Sequence, residues 1–173
     1  MNLRIRKFWY RAAKLFYHVT GIRPSSRRTP NPLQRGIQDP VIHLLSPDAY
    51  FAVYWKRGDA GQCPGVSFYL FDEEILRFDC FGYPHGHYLT HLNDPKRRKR
   101  HMQDRFLFME KTIEEQIERT CYELRTNLNA YLRGNPNPRV QAYQVDSQAI
   151  ADAVPEIREI MNGYIQKTQG MLF

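Results

Sequence analysis

A chain of 173 residues is one domain, or one domain with an appendage, and 42% hydrophobic with 13% aromatic residues is enough core-forming material to exclude global disorder. No run approaches the roughly 20 apolar residues of a membrane-spanning helix. The three widely spaced cysteines, Cys63, Cys80 and Cys121, suit a reducing, cytoplasmic setting rather than a disulfide framework or a paired-cysteine metal knuckle.

The net charge of +7 is unevenly spread. Residues 1–38 hold nine Lys/Arg and no acid, and five of the remaining sixteen basic residues are consecutive at 96–100. Local basic patches of this kind suit a surface that meets phosphate, an acidic partner or an anionic membrane.

Residues 3–20 read as a basic amphipathic helix. At 100° per residue, Ile5, Phe8, Trp9, Ala12, Phe16 and Val19 fall on one side, and Arg4, Lys7, Arg11, Lys14 and His18 form a separate stripe. Such a segment can lie on a membrane surface, dock into a partner or pack on its own domain. Residues 21–40 are rich in proline and arginine and read as a linker, which leaves 41–173 as the folded domain.

Within that domain, 49–57, 65–71, 75–81 and 86–92 are short runs rich in aromatic and β-branched residues, separated by Gly, Asp and Pro. They predict an antiparallel meander. Residues 105–110 read as a fifth strand, with Phe106 and Phe108 on one face, or as the first turns of the following helix; periodicity alone does not decide between them. Thr112 and Glu115 form a capping box, so a helix is expected from there to Arg133, with Ile113, Ile117, Cys121, Leu124, Leu128 and Leu132 on its buried side. Residues 140–145 offer an edge strand. Ile150, Val154, Ile157, Met161 and Tyr164 mark a last helix, in which Pro155 calls for a kink or a fresh start. The fold class is α+β: an antiparallel sheet of about five strands covered by the 113–133 helix and a C-terminal helix.

The chemistry concentrates in 77–92, R-F-D-C-F-G-Y-P-H-G-H-Y-L-T-H-L. Alternate side chains of a strand share a face, so Arg77 and Asp79 point the same way, as do His85, His87 and His91 if 85–91 is extended. A histidine can act as general acid or base, with Asp79 orienting an imidazole and Arg77 stabilising an anionic transition state. This is the equipment of a metal-independent ribonuclease. The same residues also fit a metal site, or a structural ion pair beside a half-exposed strand. Neither a metal nor a cofactor is expected. Lys96, Arg97, Arg98, Lys99 and Arg100 follow directly, and a phosphate backbone is their natural ligand.

The core F-D-C-F-G-Y-P-H-G-H-Y, with the Leu-rich helix and the closing Pro-Glu-Ile helix, resembles a group of small uncharacterised bacterial proteins with an "FDCF…PHYH" core. The likeness spans roughly 70–165, and Gly86 stands where those proteins carry an aromatic residue. Arg77, Asp79, Pro84, His85 and His87 are similar to the R-x-D…P-H-x-H pattern of TumE-type toxins of toxin–antitoxin pairs. That resemblance implies a small α+β protein of a toxin–antitoxin or defence-type system, with the histidines and Arg77 as the group that cleaves RNA.

Two classes of function follow. One is a binder of nucleic acid, RNA above all, or of an acidic protein partner, with ribonuclease activity as its enzymatic form. The other is a non-enzymatic adaptor held to a partner or a membrane surface by Arg4, Lys7, Phe8, Trp9, Arg11 and Phe16.

Overall fold

The computed structural model describes residues 36–58, 60–90, 92 and 104–169. The expected N-terminal helix, most of the expected linker, His91 and the 96–100 run lie outside the described residues.

Among the described residues the sheet has six strands in sequential order: β1 (Ile37–Leu44), β2 (Ala49–Gly58), β3 (Gly61–Leu70), β4 (Glu73–Asp79), β5 (His87–Thr90) and β6 (Asp104–Leu107). All neighbours are antiparallel. Three helices follow: α1 (Ile113–Arg133), the one-turn α2 (Pro138–Gln141) and α3 (Ser147–Gln169). The architecture is therefore α+β, as the alternation and capping signals predict. β1 is additional to the expected strands and starts inside the stretch read as linker. Its alternation is broken by a bulge between Gln38 and Val41, where Asp39 takes a positive φ of 46° ahead of Pro40. The proline and the bulge also blunt that sheet edge against further pairing.

One sheet face carries Phe51, Val53, Trp55, Val66, Phe68, Leu70, Leu76, Phe78 and Cys80 into a core shared with α1 and α3. α1 begins at the expected capping box. Thr112 accepts from the Glu115 amide, and the Glu115 carboxylate accepts from the Thr112 amide. Its expected face is buried through Ile117, Cys121, Leu124, Leu128 and Leu132, with Ile113 packed at the margin. α3 runs through Pro155 without a break and buries Ile150, Val154, Ile157, Met161 and Tyr164.

Residues 140–145 do not form an edge strand. Asn137 caps a short helix that Pro138 starts, accepting from the Arg139 amide, and the chain then lies along α1. There the Asn129 carboxamide both accepts from the Val145 amide, at 2.9 Å, and donates to its carbonyl, at 3.0 Å. One side chain thus supplies the two hydrogen bonds that a neighbouring strand would have supplied.

Two features of the meander set up the site. A bulge at Ile75, opposite Phe68–Tyr69, inserts one residue into β4. Between β4 and β5, residues 80–86 form a turn whose Tyr83–Pro84 peptide is cis. The buried Gln116 side chain braces this turn, accepting from the Gly82 amide at 2.9 Å and donating to the Glu110 carbonyl at 2.9 Å. Gly86 is buried against that carboxamide, and a methyl group there would collide with it. Gly86→Ala is therefore expected to lower stability by about 2 kcal/mol, the range for an overpacked core position. Urea denaturation checks this, with Gly163→Ala, which meets open space on α3, as the control expected to be neutral or stabilising.

Candidate functional site

The cross-strand register lines up Tyr54, Gly65, Asp79, His87 and Leu107 across β2–β6, on the face turned away from the core shared with α1 and α3. Gly65 is the enabling residue of that row. A Cβ there would lie 2.6 Å from the Tyr54 ring and 3.1 Å from Asp79 Oδ1, so the glycine lets the ring lie across β3. Tyr54 Oη is then 3.1 Å from Ser67 Oγ and 3.4 Å from Asp79 Oδ1.

Asp79 is fully buried. Its Oδ2 accepts from Lys56 Nζ at 2.5 Å, and His87 Nε2 stands 3.6 Å from the same oxygen. A carboxylate removed from water needs a countercharge, and Lys56, two residues beyond Tyr54 on β2, supplies it. Phe81 folds back over this end of the face. Its ring stacks on His87, with centroids 6.2 Å apart and planes 8° apart, and Lys56 Nζ lies 5.7 Å from its centroid.

His87 Nδ1 is 2.8 Å from the His85 carbonyl. A carbonyl oxygen can only accept, so Nδ1 carries the proton and Nε2 keeps its lone pair. The Arg105 guanidinium, 3.3 Å from Nδ1, is then a neighbouring cation rather than a donor to that nitrogen. Burial lowers the His87 pKa, and Arg105 and Lys56 push the same way against the opposing His85 carbonyl and Asp79. The imidazole is therefore neutral at pH 7.

Of the residues singled out by sequence, Asp79 and His87 meet here and Arg77 and His85 do not. Arg77 shares the face with Asp79 as expected, but the Ile75 bulge also turns Glu74 onto that face. The two side chains close a bidentate pair at 2.8 and 2.6 Å. Ser67 donates to Glu74 Oε1 at 2.7 Å, and Tyr54 stands between Ser67 and Asp79, so the two ion pairs belong to one polar network. His85 lies in the turn with an exposed side chain and offers the cluster only its carbonyl, because β5 starts two residues later. The connection that contains Lys96–Arg100 joins Thr90 to Asp104, at the far end of β5 from His87. That is three residues, or about 10 Å, from the imidazole.

Lys56, Tyr54, Ser67, Phe81 and Arg105 complete the cluster and carry no local sequence signal, since pairing across β2–β6 brings them in from distant positions. Among the described residues no group of three His, Cys, Asp or Glu could hold a metal ion. Burial raises the thiol pKa values of Cys63, Cys80 and Cys121, that of Cys121 to about 11, so none is a thiolate nucleophile near neutral pH. What the cluster offers is a neutral imidazole, two cations and a carboxylate already committed to one of them.

Residues 25–161 match the model described as "Domain of unknown function (DUF7700)". The chain belongs to this family. The DUF7700 segment takes in all six strands, α1, α2 and most of α3, and therefore the whole Asp79 cluster. No curated protein matches the chain, and no solved structure does.

Lys56→Met leaves the Asp79 carboxylate buried without its cation and is expected to destabilise the protein by about 3 kcal/mol or more. Lys56→Met/Asp79→Asn removes the charge as well and should recover most of that loss. Urea midpoints of the two variants check this, and equal losses would show that the ion pair does not govern the face.

Proposed function

We propose that the protein binds single-stranded RNA at the corner of the sheet formed by β5, β6 and the 80–86 turn. The reading rests on one observation: Arg105 is exposed against the edge of His87, where the Asp79 carboxylate is wholly buried and already paired with Lys56. A surface that presents cations and a proton-carrying ring, with Asp79 shielded from water beneath it, suits an RNA backbone. Tyr83, 71% exposed in the adjoining turn, supplies a flat ring on which an unpaired base can stack. The Lys96–Arg100 run, which falls between β5 and β6 in the sequence, supplies further cations suited to phosphate.

Cleavage is the second reading, favoured by the tautomer of His87. With Nδ1–H held by the His85 carbonyl and the imidazole neutral, Nε2 can accept a proton from a ribose 2′-hydroxyl while Lys56 or Arg105 faces the phosphate. Arg77, committed to Glu74, takes no part in it.

Fluorescence anisotropy with a labelled single-stranded RNA over a salt series tests the binding. Arg105→Ala should weaken binding several-fold at low salt and flatten the log–log salt slope by about 0.7, the value for one phosphate contact on a single strand. Arg133→Ala, on the last turn of α1, should change neither. Equal behaviour of the two variants contradicts the location. The same RNA run on a gel after incubation in EDTA, beside His87→Ala, separates cleavage from binding.

A further inference from the structure

The two edges of the sheet differ. β1 is guarded by Pro40 and the bulge at Asp39. β6 has neither a proline nor a bulge, and it turns apolar side chains to solvent: Phe106 is 45% exposed, Leu107 59% and Met109, just beyond the strand, 87%. Among the described residues nothing pairs with the outer side of β6.

The open backbone groups of this edge follow from the register. The Phe108 amide donates to the Gly86 carbonyl at 3.0 Å, so Phe106 and Phe108 direct their backbone groups at β5. In an antiparallel ladder the residues between them face the other way. Arg105 and Leu107 therefore present two N–H donors and two carbonyl acceptors outward. Aromatic rings run out to the same edge on the helix side of the sheet. Phe78 stacks on Tyr88 with centroids 5.2 Å apart, and Tyr88 on Phe106 at 5.0 Å, where the row stops at a half-exposed ring.

This pattern is complementary to itself. Two copies of β6 laid antiparallel about a two-fold axis match open groups with open groups when the axis passes through a residue, not between two. An axis at Arg105 sets two guanidinium groups directly opposite each other, which is unfavourable. An axis at Leu107 puts Arg105 opposite Met109, outside the strand. An axis at Phe106 pairs all four open groups within the strands and sets each arginine against a leucine.

We propose that β6 pairs antiparallel with β6 of a second copy about an axis at Phe106, so that the sheet continues across a dimer of this chain. Four hydrogen bonds close between Arg105 of each copy and Leu107 of the other. The two Phe106 rings meet at the axis, and the Phe78–Tyr88–Phe106 row runs on into its equivalent. The Arg105 side chain stays on the opposite face beside His87, so the pairing is independent of RNA binding.

The experiment uses the full chain. Its three cysteines are buried, so a cysteine introduced on β6 is the thiol that mild oxidation with diamide reads. Phe106→Cys should give a covalent dimer on a non-reducing gel. Leu107→Cys should cross-link far more slowly, because in this register its equivalent lies on the diagonal, about 7–8 Å away, at the limit for a disulfide. Sedimentation of the wild type across a dilution series should show a monomer–dimer equilibrium. Leu107→Pro removes two of the four hydrogen bonds and spares the β5 ladder, since that amide points outward. It should weaken the dimer by about tenfold or more. Leu107→Ala, which keeps the amide, should weaken it less. The cross-link decides the matter even if Leu107→Pro fails to fold. A wild type that is monomeric at every concentration overturns the proposal and leaves the edge to an extended segment of another protein. Cross-linking at 107 as fast as at 106 overturns it too, as does a dimer that a folded Leu107→Pro variant leaves intact.

Discussion

The ion pair between Asp79 and Lys56 is the constraint around which one face of this sheet is built. A carboxylate with no exposure to water is tolerated only with a cation in contact and its remaining lone pairs engaged. Gly65 keeps the row open so that Tyr54 can lean towards Oδ1, Lys56 reaches Oδ2 from β2, and His87 and Phe81 close over the pair. Tyr54, Gly65, Lys56, Asp79 and His87 are fixed by strand register, so a slip of one residue in β4 would send Asp79 into the Phe68–Phe78 core.

The Ile75 bulge shows how one inserted residue redistributes charge. Strict alternation would put Glu74 and Arg77 on opposite faces. The bulge puts them on the same one, three residues apart, where they neutralise each other. Arg105 lies on the same row of the ladder, with Leu89 between it and Arg77, and its side chain is exposed beside His87. The face thus has one arginine committed to structure and one turned outward beside an imidazole.

Much of the fold is legible in the sequence because its signals are local. The capping box at Thr112 and Glu115 sets the start of α1 within a residue, and the apolar side of α1 follows from spacing alone. The Arg77–Asp79 shared face follows from the strand period. What stays illegible depends on contacts distant in sequence. β1 hides behind Pro40 and its bulge. Residues 140–145 offer a strand because Tyr143 and Val145 would share a face, but the backbone hydrogen bonds of Val145 come from Asn129, sixteen residues earlier. Lys56 and Asp79 are 23 residues apart, and nothing near either announces the other. His85 is separated from His87 by the position at which β5 begins, which the Gln116 brace on the preceding turn determines and the histidine spacing does not.

The most direct measurement is the pH titration of the histidine ring resonances by NMR, with and without single-stranded RNA. Free His87 should titrate below the ordinary value of 6.5, with Nδ1 protonated in its neutral form. Phosphate beside the ring favours the imidazolium, so RNA should raise that pKa. By linkage, binding should then strengthen as pH falls through the window between the free and bound values. His43, paired with Glu156 on the core side, should not respond to RNA. A His87 that titrates at or above 6.5, or one whose resonances RNA leaves unmoved, would contradict both the buried-cluster electrostatics and the placement of RNA at this corner.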